Sequence, residues 1–174
     1  MFEHCDMDKT KQDIAYFISF CIEQYKDAKG ISGSEAMILL SEYEVLEYLV
    51  EHWEVLHTQG HHWIIEDIDE YIRERKGGEV WKSISSGSPV CQVYRCKGGD
   101  VMNLTITQQN VHLLLPSKLS WMATMLAEDK GISIVEAMKR LYSSDLYAKL
   151  ENESTKAWHL GPVALYEDFN NKER

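Results

Sequence analysis

The chain opens with apolar residues spaced for one long amphipathic helix. From Ile14 to Tyr25 they recur every third or fourth residue, which is the period of one face of an α-helix. The stripe ends shortly before Gly30, and glycine is the commonest residue at the left-handed position that closes a helix. Cys21 falls on the stripe, where a reduced thiol packs as a small hydrophobic group. The spacing therefore predicts a helix that buries one face and ends near Gly30.

Three further helices are predicted after this one. Ser32 and Glu35 have the spacing of a capping box, in which each side chain binds a free backbone N–H at the start of a helix. Apolar stripes at residues 45–56 and 64–72 then predict a third and a fourth helix. The pattern indicates a first helical unit over residues 10–76.

The same unit recurs later in the chain. Residues 29–37 and 130–138 are identical at seven of nine positions, and the same offset of 101 residues pairs Leu40 with Leu141. A constant offset between matching segments is typical of an internal repeat. We therefore expect a duplicated helical unit, with its second copy over residues 117–171.

Between the two units the periodicity changes from helical to alternating. Residues 90–95 and 101–107 are rich in β-forming residues, with a glycine-containing turn between them. This pattern predicts a β-hairpin, which residues 111–115 would extend before Pro116 ends it. The expected fold class is mainly α with a small β-hairpin, and residues 77–116 form the linker that carries the hairpin.

Acidic charge is concentrated in the first unit. The net charge of the chain is −10, but residues 1–75 carry 6 Lys/Arg against 17 Asp/Glu, a balance of −11, whereas residues 76–118 have a balance of +3 and residues 119–174 of −2. Such a surface repels phosphate backbones, which argues against nucleic acid as a partner, and it suits a basic protein. The alternative is a solvated acidic face that maintains solubility.

Four histidines near the end of the predicted third helix are the first candidates for chemistry: His52, His57, His61 and His62. His57 and His61 could share a helix face, which is a spacing that binds zinc. However, Gly60 is expected to end that helix, and no H-E-x-x-H is present. We expect the imidazoles to cap backbone carbonyls or to face solvent, with no metal and no cofactor.

No catalytic motif is present in the sequence. G-x-G-x-x-G, P-loop and G-x-S-x-G patterns do not occur. Carboxylate pairs such as Glu66-Asp67 lie on a charged helix, without the apolar pocket that raises the pKa of a general acid. We therefore expect no catalytic residues and no enzyme activity.

The tryptophans indicate where a protein partner could bind. Trp53 and Trp121 fall on apolar stripes and are expected in the core, whereas Trp63 and Trp158 lie beside polar histidines, where both core and interface remain open. With their polar neighbours they define the candidate protein interface, which comprises Trp63, His57, Gln59, Glu66, Asp67, Glu70, Trp158 and His159.

Segments of both units resemble known families. Those of the first unit resemble a small bacterial helical family of unknown function, at residues 17–25, 31–33, 45–49, 56–60 (Leu-His-Thr-Gln-Gly) and 65–68 (Ile-Glu-Asp-Ile). Residues 141–145, 158–162 and 165–167 resemble a companion family. Members of both are often encoded beside ADP-ribosyltransferase-like toxins. The resemblance therefore implies an antitoxin or accessory role, a toxin of that class as partner, and no catalytic residues.

The location of the protein is indicated by what the sequence lacks. No apolar run approaches the roughly 20 residues that span a bilayer, the first residues do not have the pattern of a signal peptide, and the cysteines form no C-x-x-C. We expect a cytoplasmic protein with no membrane association. The leading hypothesis is a non-catalytic protein-binding module, namely the antitoxin or accessory component of a bacterial toxin–antitoxin pair. The alternatives are a regulatory or phage-related DNA-associated protein, and a small metal-binding protein or enzyme that uses the histidines.

Overall fold

The computed structural model describes residues 3–76 and 105–172, and every regular element in these ranges is a helix. The first half contains α1 Glu3–Lys29, α2 Gly33–Glu42, α3 Val45–Glu51, α4 Trp53–Leu56 and α5 His61–Arg75. The second half contains α6 Leu115–Lys130, α7 Ile134–Tyr142, α8 Asp145–Glu151 and α9 Pro162–Lys172. Short 3₁₀ helices occupy Val111–Leu113, Glu153–Thr155 and Ala157–His159.

The predicted helix ends are present at equivalent positions of the two halves. Gly30 and Gly131 both have φ of +64°, the left-handed conformation that glycine adopts without steric cost. The Ser32 side chain caps α2 within a complete capping box, and the Ser133 side chain caps α7 by accepting a hydrogen bond from the backbone N–H three residues later. These features recur at the offset of 101 residues. The duplication that the repeat implies remains a prediction.

The two halves also pair their helices in the same order. In the first half α1 packs against α2 and α5, and α3 packs against α5. In the second half α6 packs against α7 and α9, and α8 packs against α9. Contacts of α2 with α7 and of α1 with α6 join the halves.

Helices α1 and α6 run antiparallel at the contact between the halves. Near the start of α1, the amide of Gln12 donates to the Ser120 hydroxyl at 3.0 Å and accepts from the Thr124 hydroxyl at 2.8 Å. Near the end of α1, Lys26 lines a cavity together with His112, which lies just before α6. The start of one helix therefore lies beside the later turns of the other.

One hydrophobic core is shared by both halves. The stripe predicted on α1 is its centre, and burial raises the pKa of the Cys21 thiol, so that this group packs as a hydrophobic side chain. The rest of the core consists of apolar residues of α2, α3, α5, α6, α7, α8 and α9. Its largest fully buried side chains include Tyr142, Tyr147, Ile18, Ile22, Met37, Leu40, Leu46, Leu49, Ile68, Leu115, Leu119 and Met122.

The prediction of a small β-hairpin is wrong, since the described residues contain helices and no strand. Residues 90–95 and 101–104 of the expected hairpin lie outside the described residues. The proposed extension at 111–115 forms a 3₁₀ helix and the first residue of α6. The physical reason is that the Asn110 side chain closes a turn by binding the backbone of residues 105 and 107. Pro116 then lies in the first turn of α6, where its missing N–H costs nothing, and so it opens a helix instead of ending a strand.

Trp53 and Trp121 were both expected in the core. The expectation is partly correct for Trp53 and wrong for Trp121. Trp53 is half-buried against the core, but Trp121 is 53% exposed on α6. No helix in the described ranges combines the length and the apolar character that crossing a membrane requires.

Candidate functional site

Six of the eight predicted interface residues lie together at the junction of α4 and α5. We call this surface the α4–α5 face and define it by Val55, His57, Gln59, Trp63, Glu66, Asp67 and Glu70. The other two, Trp158 and His159, occupy the 3₁₀ helix before α9 in the second half. The structure therefore divides the predicted interface into two regions, one in each half.

Trp63 is the dominant apolar group of the α4–α5 face. Its side chain is 69% exposed in the first turn of α5, and Val55 on α4 is 64% exposed. Between them, Gly60 is the extended residue that precedes α5, and an added Cβ there would meet only the Trp63 ring, at 3.9 Å. The sequence did not decide whether Trp63 lies in the core or at an interface. Its exposure places it on the surface.

Carboxylates continue this surface along α5. Glu66 and Glu70 are exposed, and Glu70 forms an ion pair with Arg73 at 3.5 Å. Asp67 is half-buried and accepts a 2.7 Å hydrogen bond from the Tyr48 hydroxyl. Burial, together with this carboxylate, raises the pKa of Tyr48 to about 12. Asp67 therefore holds α3 against α5, and Glu66 and Glu70 are the carboxylates that face solvent.

His52 and His57 cap helix carbonyls and lie against aromatic rings. The Nδ1 atoms of His52 and His57 lie 3.1 and 2.6 Å from the carbonyl oxygens of Tyr48 and Trp53, one turn earlier. The His57 ring also stacks on the Trp53 ring at 4.5 Å. Within residues 3–76 and 105–172, no three His, Cys, Asp or Glu side chains are grouped to hold a metal ion.

In the second region of the predicted interface, the tryptophan is less exposed than Trp63 is. Trp158 is half-buried, donates its indole N–H to the Glu153 carbonyl at 3.3 Å and stacks on the ring of His159 at 3.8 Å. Lys156 lies 5.8 Å from the centre of the indole ring. These contacts fix the indole within its own loop, so Trp158 is a weaker candidate for an interface anchor than Trp63.

A buried polar cluster between the two halves was not predicted. Its centre is Glu23 of α1, which is fully buried and has Lys26 2.6 Å from its Oε2 atom. The Oε1 atom accepts hydrogen bonds from the hydroxyls of Tyr147 at 2.8 Å and Tyr142 at 3.1 Å. Ser19 completes the cluster with a 3.0 Å hydrogen bond to the Tyr142 hydroxyl. Glu23 lies on the side of α1 opposite the predicted apolar stripe, so the hydrophobic pattern of the sequence contained no indication that this carboxylate is buried.

Lys26 extends the cluster toward the surface. Its ammonium donates to the Tyr147 hydroxyl at 2.9 Å and to Glu151 at 3.1 Å, and the same Glu151 oxygen accepts from the Gly33 N–H at 3.1 Å. Burial raises the pKa of Glu23, and the Lys26 charge opposes that effect. A carboxyl with a raised pKa is the kind of group that general acid catalysis uses. Glu23 is fully buried, and its hydrogen bonds to Tyr142 and Tyr147 join α1 to the second half.

A shallow cavity of about 160 Å³ lies at the outer end of this cluster. It is lined by Lys26, Asp27, Gly30, Ile31, Gln108, Val111, His112 and Glu151. Three charged residues line it: Lys26 and Glu151 bind each other, and Asp27 is the third. Burial lowers the pKa of His112, which favours the neutral imidazole. The Asp27 carboxylate is the charge at the cavity that lies outside the Lys26–Glu151 ion pair.

Comparison with known protein families gives a match in the first half of the chain. Residues 16–75 match a family described as "Protein of unknown function (DUF3791)". No curated protein and no solved structure matches the chain. The match extends from Tyr16 on α1 to Arg75, the last residue of α5, and it includes the whole α4–α5 face. The resemblance to a family of unknown function is confirmed for this segment, which is about a third of the chain.

Proposed function

We propose that this chain is a non-catalytic protein-binding module that binds a basic protein through the α4–α5 face. The proposal rests on one observation, the 69% exposure of Trp63 at the head of an acidic helix. Tryptophan is enriched among the residues that contribute most to protein–protein binding, because one side chain buries a large apolar area and keeps an N–H donor. Val55 adds a second exposed apolar group on the same face.

The charge around Trp63 supports a basic partner. Glu66 and Glu70 project from α5 beside it, within a segment whose balance is −11 over residues 1–75. Complementary charge raises the association rate and excludes partners of like charge. The same acidity disfavours the DNA-associated alternative, because a phosphate backbone would be repelled.

The finer proposal is that this partner is a toxin and that the chain is its antitoxin or accessory component. Support comes from the resemblance of the first unit to proteins encoded beside ADP-ribosyltransferase-like toxins. An acidic face with an aromatic anchor would cover a basic cleft of the kind that holds a dinucleotide or a nucleic acid. In this role the protein needs no catalytic group of its own.

A binding measurement with one matched pair of variants tests the proposal. The chain is expressed together with the ADP-ribosyltransferase-like enzyme that the resemblance predicts beside its gene, and the affinity of the purified complex is measured by calorimetry. We expect Trp63→Ala to weaken binding about 30-fold, as an interface hot spot does. Trp121→Ala, which removes an equally large exposed ring from α6, should change it less than about threefold. Absence of a complex would reject the toxin partner, and equal effects of the two variants would reject the α4–α5 face.

A further inference from the structure

Four of the seven histidines of the chain lie on or beside the α4–α5 face. His52 follows α3, His57 follows α4, and His61 and His62 are the first two residues of α5. Resting on the proposed function, we infer that this face is a pH-dependent docking surface, which binds a basic partner at neutral pH and releases it on mild acidification. Histidine is the side chain that ordinarily changes charge between about pH 5 and pH 8.

The imidazoles are placed where added charge would reach a partner. His52, His57 and His62 are exposed, and His61 is half-buried with its ring 4.2 Å from the ring of His62. His62 is adjacent in sequence to Trp63, the proposed anchor. Positive charge on these rings would therefore develop at the contact surface, and a basic partner would meet it directly.

The hydrogen bonds of two imidazoles define where the proton is gained. A carbonyl oxygen can only accept a hydrogen bond, so Nδ1 of His52 and of His57 must carry the hydrogen that binds Tyr48 and Trp53. Nε2 is then the nitrogen that can gain a proton. Protonation leaves both helix-capping hydrogen bonds intact, so the charge can change without rearrangement of α3 or α4.

The net charge of residues 45–75, the segment that carries the α4–α5 face, is small enough that four added protons would remove most of it. Residues 45–75 contain eight carboxylates and two arginines, a balance of −6 with neutral histidines, which becomes −2 if all four are protonated. Cations from neighbouring elements already neutralise part of this charge: Lys29 of α1 binds Asp69, Lys139 of α7 binds Glu47, and Arg73 binds Glu70 within α5. The carboxylates of residues 45–75 that lie outside these three ion pairs are Glu51, Glu54, Glu66, Asp67 and Glu74, of which Asp67 accepts a hydrogen bond from Tyr48.

The test uses the intact protein and a fluorescein-labelled amphipathic peptide of alternating leucine and lysine pairs. Lysine stays charged and most carboxylates stay ionised between pH 7.5 and 5.5, the range in which histidine side chains in general change charge. We expect the anisotropy-measured affinity at low salt to fall about tenfold or more between these two pH values, as several repulsive charges are added near the contact. The variant His52→Gln/His57→Gln/His61→Gln/His62→Gln should bind at pH 5.5 as the wild type does at pH 7.5.

Three controls make the outcomes distinguishable. His159→Gln, which changes an exposed histidine of the second half, should keep the full pH dependence. If the fourfold variant fails to fold by circular dichroism, the pairs His52→Gln/His57→Gln and His61→Gln/His62→Gln replace it, and each should remove part of the effect. Equal wild-type affinity at both pH values, or pH dependence that persists without the four histidines, overturns the inference and leaves the proposed function standing. If Trp63→Ala leaves the affinity for the peptide at pH 7.5 unchanged, the proposed function itself is contradicted.

Discussion

Single residues at the contact between the halves carry charges that the core would otherwise exclude. Glu23 is fully buried, and two phenols and one ammonium surround its carboxylate. Tyr142 and Tyr147 come from the second half, more than a hundred residues away in the sequence. Because a buried charge without partners is strongly unfavourable, Glu23 and Lys26 constrain how α1 meets α7 and α8.

Removing Lys26 alone should cost more than removing both members of the buried ion pair. We expect Lys26→Met to lower the free energy of unfolding by about 3–5 kcal/mol, because it leaves the Glu23 carboxylate without a cation in the core, and Glu23→Gln to cost less, because Lys26 still binds Glu151. The double variant should recover much of this loss, since neutral groups then replace the pair. Urea unfolding of the four proteins at pH 7.5 measures the coupling, and strictly additive losses would show that the two groups act independently.

The pH dependence of the Lys26→Met variant has a definite sign. Burial raises the pKa of Glu23 above its ordinary value of 4.5, so the folded state binds this proton more tightly than the unfolded state does. Stability from this group therefore increases as the pH falls through the raised pKa toward 4.5, and it decreases as the pH rises. Without the Lys26 cation the pKa of Glu23 should rise further. The decrease in the free energy of unfolding caused by Lys26→Met should therefore be smaller at pH 5 than at pH 8.

Gly33 is required by the position of the Tyr147 phenol. A Cβ at residue 33 would lie 1.8 Å from the Tyr147 hydroxyl oxygen, a distance at which the ring must move away from Glu23. We expect Gly33→Ala to destabilise the fold by about 1–3 kcal/mol or more, as overpacking of a core does. Gly161→Ala is the control, because a Cβ there meets nothing within 4 Å. Thermal unfolding that is equal for the two variants would contradict this reading of the contact.

At the scale of elements, the ends of α1 and α6 are set by local chemistry that is the same in both halves. Gly30 and Gly131 have the same φ of +64°, and no atom lies within 4 Å of a Cβ added at either position. Gly30→Ala and Gly131→Ala should therefore each cost about 1 kcal/mol through backbone strain alone. Chemical denaturation of both variants checks whether the two positions are equivalent, and a several-fold difference between them would show that they are not.

Helix ends of this kind could be predicted because they depend on neighbours in the sequence. The cap at Ser32 and the stop at Gly30 involve residues within one turn. The prediction of a strand at residues 111–115 is wrong because the apolar residues of this short segment are compatible with either a strand or a helix. The turn closed by the Asn110 side chain favours the helical conformation that follows it. Glu23 could not be paired with Tyr142 or Tyr147 in advance, since local spacing contains no information on which distant groups approach.

At the scale of the whole molecule, the halves share their helix order and differ in their surfaces. Both place a long helix at the central contact and a final helix on the flank. The charge balance is −11 over residues 1–75 and −2 over residues 119–174. The exposed tryptophan beside carboxylates belongs to the first half, while Trp158 of the second half is held within its own loop. The proposed binding of a basic partner therefore concerns the first half, which packs on the second half through the shared core.

Charge reversal on equivalent helices separates electrostatic attraction from general solubility. Glu66→Lys/Glu70→Lys changes the exposed side of α5, and Glu167→Lys/Asp168→Lys makes the same change on α9. Attraction between complementary surfaces raises the association rate and is screened by salt, with a Debye length of about 8 Å at physiological ionic strength. We expect the α5 variant to slow association with the basic partner about tenfold or more at low salt, with little change in dissociation, and the α9 variant to slow it far less. Stopped-flow measurements at two salt concentrations decide the matter, since association that is indifferent to salt and to the α5 reversals would leave the acidic surface with a solubilising role alone.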